Sequence, residues 1–207
     1  MNKLANYVGQ LRIYSLVDLT LLLIASMASK YELTGALLLH ISFIAYLESR
    51  HKHKYRLSIP NLVWIMLLIA GTIFYKHIEV IPFVIFSFLY TSKNKKNLGA
   101  FAPLFRGLQL FFLIGGIAGY SSIITLISFP LTFIRNLAGD MRDIEKDKKE
   151  GMTTLPIILG MKKDIKYIHF IILIITSIVW WTFTSLSWIW IAGTIIVQAM
   201  TYNLTAR

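Results

Sequence analysis

The sequence has no cysteine, which excludes disulfides, zinc–thiolate sites and thiol nucleophiles. It is also poor in charge, at 15% of residues, and poorer still in acids: ten, against 21 lysines and arginines, for a net charge of +11. The bases lie in clusters separated by long stretches that carry almost none. A basic excess confined between apolar runs reads as membrane topology rather than as a surface that tracks phosphates, so nucleic acid is not an expected partner. There is no repeat of fixed short period, no low-complexity tract and no soluble domain. A cleavable secretory signal is not expected either, because the first apolar run ends in Ala28-Ser29-Lys30 rather than in a small-x-small site, and seven more runs follow.

What fills the chain is apolar: 56% of its 207 residues are hydrophobic and the mean hydropathy is +0.64, too high for an ordinary soluble domain. Apolar runs at 13–29, 31–49, 57–75, 78–92, 100–119, 121–139, 165–184 and 187–203 predict an all-α, polytopic transmembrane bundle of eight helices, with residues 1–207 forming one membrane-embedded domain. The fourth run is short of the roughly 20 residues needed to cross ~30 Å of hydrocarbon. Merging it with the third would place Lys76, His77 and Glu79 at mid-membrane, where an ionised group costs at least ~2.5 kcal/mol. With the N-terminus inside, the cytoplasmic side receives Lys3, Arg12, the cluster Arg50-Lys52-Lys54-Arg56, Lys93-Lys95-Lys96, the stretch from Arg142 to Lys166, and Arg207; Lys30 and Lys76 fall outside. The expectation is an integral, multi-pass membrane protein with both termini cytoplasmic and its chemistry on that side. Trp180-Trp181, Trp188 and Trp190 fit an interfacial belt at the outer ends of the last two helices, and other aromatics are candidates to wall an apolar tunnel or stabilise a cation.

The longest polar stretch, Asp140 to Lys166, holds six of the ten acids: Asp140, Asp143, Glu145, Asp147, Glu150 and Asp164. At about 100° per helical residue, Asp140, Asp143 and Asp147 share an arc of about 60°, with Asn136 one turn earlier on the same side. Two like charges ~6 Å apart repel by roughly 3 kcal/mol at an effective dielectric near 20, so a row of carboxylates at a membrane mouth calls for a cation. Hard oxygens at this spacing suit Mg2+, which is commonly held by one or two carboxylates together with substrate phosphates. The plainer reading is a solvated helix whose acids pair with Arg142, Lys146, Lys148 and Lys149.

The run Asp140-Met-Arg142-Asp143-Ile-Glu-Lys-Asp147-Lys-Lys-Glu-Gly151-Met-Thr-Thr154-Leu155-Pro156, with Gly160 beyond it, resembles the second aspartate-rich motif of the UbiA superfamily of intramembrane prenyltransferases. Arg135, five residues before Asp140, is similar to archaeal members that make geranylgeranylated lipids. Leu89-Tyr90-Thr91-Ser92-Lys93, followed by Lys95-Lys96 and Leu98-Gly99, is similar to the family's tyrosine-and-lysine loop before the fifth helix. The resemblance covers most of the chain in helix order, with the second motif as its diagnostic part. It implies a cytoplasm-facing cavity in a helical bundle, where Mg2+ on Asp140, Asp143 and Asp147 binds a polyprenyl diphosphate. Lys93, Arg135, Asn136 and, from the basic loop, Arg50 and Lys54 would hold the diphosphate, and a lipophilic acceptor, aromatic or lipid, would take the prenyl group.

Two departures stand beside that likeness. The family's first aspartate-rich motif belongs near 45–56, where Glu48 is the one acid, and eight spans are counted where members typically have nine. The basic cluster at 50–56 then either replaces the missing metal charge or serves as a topology anchor on anionic lipid. A non-catalytic homologue, binding prenyl lipid or acting as a membrane partner subunit, is the alternative function. Asp18 inside the first helix is either a ligand or an interfacial partner of Arg12. Arg106 and Arg135 either reach the diphosphate or snorkel. His40 reads as a bundle hydrogen-bonder, and His51 and His53, two residues apart, point to opposite sides of a helix.

Overall fold

The computed structural model describes residues 12–50, 58–93, 98–161 and 166–202, and among them every regular element is helical. Eight long helices fall on the eight apolar runs: α1 Ile13–Ala25, α2 Lys30–Arg50, α3 Asn61–Tyr75, α4 Val80–Thr91, α5 Ala102–Ala118, α6 Ile123–Arg142, α9 Lys166–Phe183 and α10 Trp188–Tyr202. Two short helices, α7 Ile144–Lys149 and α8 Leu155–Ile158, follow α6, and a 3-10 turn, Leu98–Phe101, leads into α5. His51, Lys52, His53, Lys54 and Arg56 of the basic loop lie outside the described residues.

Several helices are shorter than their apolar runs, for local reasons. α1 ends where Met27 takes a left-handed conformation, φ 55, so that Ala28 N–H reaches back to Leu23 O at 3.1 Å and closes the last turn. α2 begins in a capping box: Ser29 Oγ accepts from Glu32 N–H at 3.3 Å while the Glu32 carboxylate accepts from Ser29 N–H at 2.8 Å. Pro60 fixes the start of α3, and Lys76 at φ 61 ends it. As a result one stretch among the described residues, Leu98–Ala118, has the length and apolarity to cross a bilayer, with 21 residues at a mean hydropathy of 1.6. Asn61–Tyr75 and Val80–Thr91 are as apolar in character but shorter. The eight helices are where the sequence placed them.

The chain divides into two compact units, Met1–His77 with Ser185–Arg207, and Ile78–Thr184. In the first, α2 and α3 form an antiparallel pair. Its backbones approach so closely that a Cβ on Gly35 would meet Tyr75 N at 2.3 Å and one on Gly71 would meet the Leu39 side chain at 2.8 Å. Ser42 donates to Trp64 O at 2.7 Å further along, and Tyr46 packs on the Trp64 ring at 4.9 Å. His40 is buried against Ser15 of α1, with Nε2 and Oγ 3.2 Å apart, as a bundle hydrogen-bonder should be. In the second unit α5 pairs with α4 on one side and α6 on the other. Phe86 of α4 stacks on Phe112 of α5 at 5.7 Å, and this seam fixes the end of α4 from which Tyr90 and Lys93 project. Trp180 on α9 is 2% exposed, so it is a core residue rather than part of an interfacial belt, unlike the exposed Trp181, Trp188 and Trp190.

Candidate functional site

The acid row is built by the end of α6 and the turns after it. α6 carries Asn136 and Asp140 one turn apart and stops at Arg142; Asp143, at φ −96 and ψ 8, is the hinge residue before α7. The helix that carries Asp140 therefore ends before Asp143, and Asp147 sits on the next, short helix. Arg142 grips Asp143, with Nε donating to Oδ1 at 2.9 Å and Nη2 to Oδ2 at 3.0 Å. No group of three acidic or histidine side chains converges as a metal cage among the described residues.

Asp140 and Asp147 differ from Asp143 in being left open. They are 4% and 3% exposed, and Oδ2 of each is buried without a hydrogen-bond partner. Lys93, in the turn that ends α4, places Nζ 3.8 Å from Asp140 Oδ1 and 5.2 Å from the centroid of the Tyr90 ring. Asn136 Nδ2 donates to the Tyr90 hydroxyl at 3.1 Å, while Asn136 Oδ1 is another buried acceptor without a partner. Lys93, Asp140, Asp147, Asn136 and Tyr90 thus make one polar locus within the second unit. All three aspartates lie past the end of the expected sixth span at 139. Burial pushes the Asp140 carboxyl up to about 7, against the pull of Lys93 and with reinforcement from Asp147 and Asp143. Burial likewise raises Asp147 to about 6, again opposed by Lys93. Burial also works against the Asp143 charge, but the Arg142 hydrogen bond and charge outweigh it and leave that carboxyl below its usual range.

Arg135 is turned toward α9, where Nη2 donates to the buried Thr176 hydroxyl at 3.0 Å. Arg50 ends α2 in the other unit with its guanidinium 5.2 Å over the Tyr46 ring. Lys54 lies outside the described residues. Glu48, the one acid where a first aspartate-rich motif would sit, is 2% exposed and accepts from Arg12 Nε at 3.1 Å and Nη2 at 3.0 Å.

The glycines and the Thr-Leu-Pro of the motif are backbone devices. Gly151, at φ +68, ends α7 in the left-handed conformation that returns Met152 N–H to Asp147 O at 2.8 Å. Gly160, at φ +65, does the same for α8, with Met161 N–H on Pro156 O at 2.9 Å. Thr154 and Pro156 begin α8 in the extended-then-helical order that suits proline in a first turn. These turns set the path of the chain after Asp147.

A family model described as VviA prenyltransferase matches residues 122–203, the stretch that contains this whole arrangement. Digeranylgeranylglyceryl phosphate synthase of Methanocaldococcus jannaschii is 33% identical over 96 residues, covering 44% of this chain and 33% of that protein. Both matches are to prenyltransferases, in line with the resemblance carried by the acid row. No solved structure matches this chain. The chain spans about a third of the length of this curated relative.

Sequence reasoning named Arg106 but missed its buried partner Gln109. Arg106 and Gln109, three residues apart on α5, are buried together: Arg106 donates to Gln109 Oε1, Gln109 Nε2 donates to Ser87 Oγ, and Ser87 donates to Phe83 O at 2.7 Å. A polar pair at that spacing inside an apolar run was the available signal.

Proposed function

We propose that the chain is a Mg2+-dependent intramembrane prenyltransferase that moves a prenyl group from a polyprenyl diphosphate to a lipophilic acceptor. The observation that carries this reading is the pair of buried carboxylates, Asp140 and Asp147, each with an oxygen unpartnered and both under the influence of Lys93. Two hard-oxygen donors with open lone pairs fit Mg2+, which characteristically completes its shell from water and substrate phosphate. Asp140 and Asp147 would hold it, and Asp143, occupied by Arg142, would position that segment. When bound, the ion supplies neutralisation of the charge that grows on a departing diphosphate. Lys93 would add a donor to the same oxygens, exchanging a loose 3.8 Å contact with Asp140 for a phosphate. The C1–O bond of the donor breaks with its electron pair leaving on diphosphate, the acceptor's nucleophile bonds to C1, and the acceptor's proton passes to solvent or to a site base. The relative's name points to a lipid acceptor rather than an aromatic one.

We further propose that residues 1–207 act as one membrane-embedded domain with both termini cytoplasmic. The exposed stripe Leu62, Met66, Ile69 and Ile73 along α3 supports a lipid environment, since it turns outward the apolar face that a water-soluble helix would bury. The clustering of bases at 50–56, 93–96 and 142–166 supports the orientation.

The test is diphosphate release by the purified chain in lipid nanodiscs, with prenyl diphosphates of graded length and a panel of lipid and quinone acceptors. The reading expects Mg2+-dependent release that Asp140→Asn or Asp147→Asn abolishes; no release from any combination would remove it. One observation favours the alternative, a homologue that binds prenyl lipid without turnover: Glu48 is committed to Arg12, so the first-motif region offers no open acid. Saturable binding of a prenyl diphosphate with no release would select that alternative.

A further inference from the structure

We propose that the corner of the first unit made by the α1–α2 turn and the end of α3 binds an anionic phospholipid, with Lys30 and Lys76 at its phosphate and the exposed face of α3 along its acyl chain. This goes beyond the transfer reaction and rests on the membrane placement above. In the orientation proposed there, Lys30 and Lys76 are the bases that fall on the external side. The fold gathers them round one ring: Lys76 Nζ lies 6.0 Å from the centroid of Tyr31, the residue after Lys30. Tyr31 stacks on Phe74 at 6.4 Å and is itself 66% exposed, an aromatic shelf of the kind that sits at headgroup level. Helix α2 separates this corner from Arg50 by about 30 Å, the thickness of a hydrocarbon core, so Arg50 faces the opposite leaflet.

The backbone of the corner is strained in a way that keeps side chains there. Among the described residues, three other than glycine have positive φ, and two of them are here: Met27 at φ 55 and Lys76 at φ 61. Each follows the end of a helix, in a conformation that glycine adopts at no steric cost. Strain at such a place points to what the side chain does. Met27 is 88% exposed, and Lys76 is exposed as well, so an apolar group and a cation are both turned outward. Glu32, the acid of this corner, is held elsewhere: its carboxylate accepts from Ser29 N–H at 2.8 Å and lies 2.8 Å from His77 Nε2. From the corner, Ile73, Ile69, Met66 and Leu62, all exposed, run along α3 for about 16 Å and offer a path to an acyl chain. Two ammonium groups at an aromatic shelf, heading an apolar stripe, suit a lipid rather than a soluble phosphate, since each base near the membrane surface adds attraction to anionic headgroups.

The experiment is photo-crosslinking of the full chain in phosphatidylcholine nanodiscs doped with phosphatidylglycerol that carries a diazirine in its acyl chain, with the adducts mapped by peptide mass spectrometry. Labelling should fall on 62–73 and be competed by unlabelled phosphatidylglycerol but not by phosphatidylcholine. Lys30→Gln/Lys76→Gln should lower it about tenfold, whereas Lys148→Gln/Lys149→Gln, which removes the same charge from α7, should leave it unchanged. Lys76→Gly relieves the left-handed strain, so it should melt no lower than the wild type and still lose labelling, a combination that a merely structural lysine would not give. Wild-type labelling in the folded Lys30→Gln/Lys76→Gln variant, or equal competition by phosphatidylcholine, overturns the proposal. So does full competition by soluble glycerol phosphate, which would make the corner a site for a free phosphate. If the chain does not enter nanodiscs at all, the membrane placement fails and takes the proposal with it; if it enters them and labelling ignores the two lysines, the proposal fails alone.

Discussion

The end of α2 and the end of α6 present buried acids in opposite conditions. Glu48 is closed, its Oε1 taken by two nitrogens of Arg12, whereas Asp140 and Asp147 each keep a buried oxygen with no partner and carry carboxyls raised toward neutrality. A closed acid holds two helices together and has nothing left for a ligand. An open acid costs folding free energy and so signals something that binds there. The difference teaches that likeness to an aspartate-rich motif is informative only where oxygens of the row are left without a partner.

The largest expected effect breaks the comparison at its open end. Asp140→Asn or Asp147→Asn should lower Mg2+-dependent diphosphate release by about a hundredfold or more, since both metal donors and growing negative charge are at stake. Circular dichroism melts should show the same variants folded and, near pH 7 without metal, more stable than the wild type.

Breaking it at the closed end should do the reverse. Glu48→Gln removes the carboxylate charge that Arg12 grips and should cost about 1–3 kcal/mol of stability, discounted because Arg12 is part-exposed, while diphosphate affinity in folded protein stays unchanged. A loss of affinity with stability intact would instead place Glu48 in the binding machinery.

The pH dependence sharpens the contrast. Asp140 and Asp147 have folded-state pKa values above the unfolded one, so the native state binds more protons than the unfolded state in between. Their favourable contribution is complete below about pH 4 and is lost as pH rises, through about 6 for Asp147 and about 7 for Asp140. Metal-free protein should therefore lose stability across that window, and Asp140→Asn should flatten the slope. Asp143 runs the other way: with a lowered value, its contribution is present at neutral pH and is lost as pH falls through the folded pKa. Denaturant melts from pH 4 to 8 would show the two slopes.

The smallest effect concerns shape alone. Gly151→Ala puts a side chain at φ +68 and should cost about 1 kcal/mol, read as a shift of a few degrees in melting temperature with a modest fall in diphosphate affinity as Asp147 moves.

Much of this was legible in the sequence. Apolar runs between charge clusters located every long helix, because burial and helix formation both follow from uninterrupted apolar side chains. Helix lengths were not legible from hydropathy, since they are set by caps: the Ser29–Glu32 box was readable from its spacing, but the left-handed turn at Met27 was not, because methionine carries no turn signal. The acid row was legible in the sequence, but the helix break within it was not. Period arguments assume an unbroken helix, and Asp143 breaks this one, so the residue that looked like the middle ligand is Arg142's partner. Arg106 was seen and left between anchor and ligand, since periodicity cannot say whether a charged residue in an apolar helix faces lipid, water or a tyrosine ring.

The central claim is that the second unit keeps two carboxylates open for a divalent ion that arrives with a diphosphate. Calorimetry of the full chain, titrating Mg2+ in the presence and absence of a prenyl diphosphate, tests it most directly. The account expects uptake of the two to be mutually dependent in the wild type and uncoupled in the Asp140→Asn/Asp147→Asn double variant. Independent binding of each, unchanged in that variant, would contradict it.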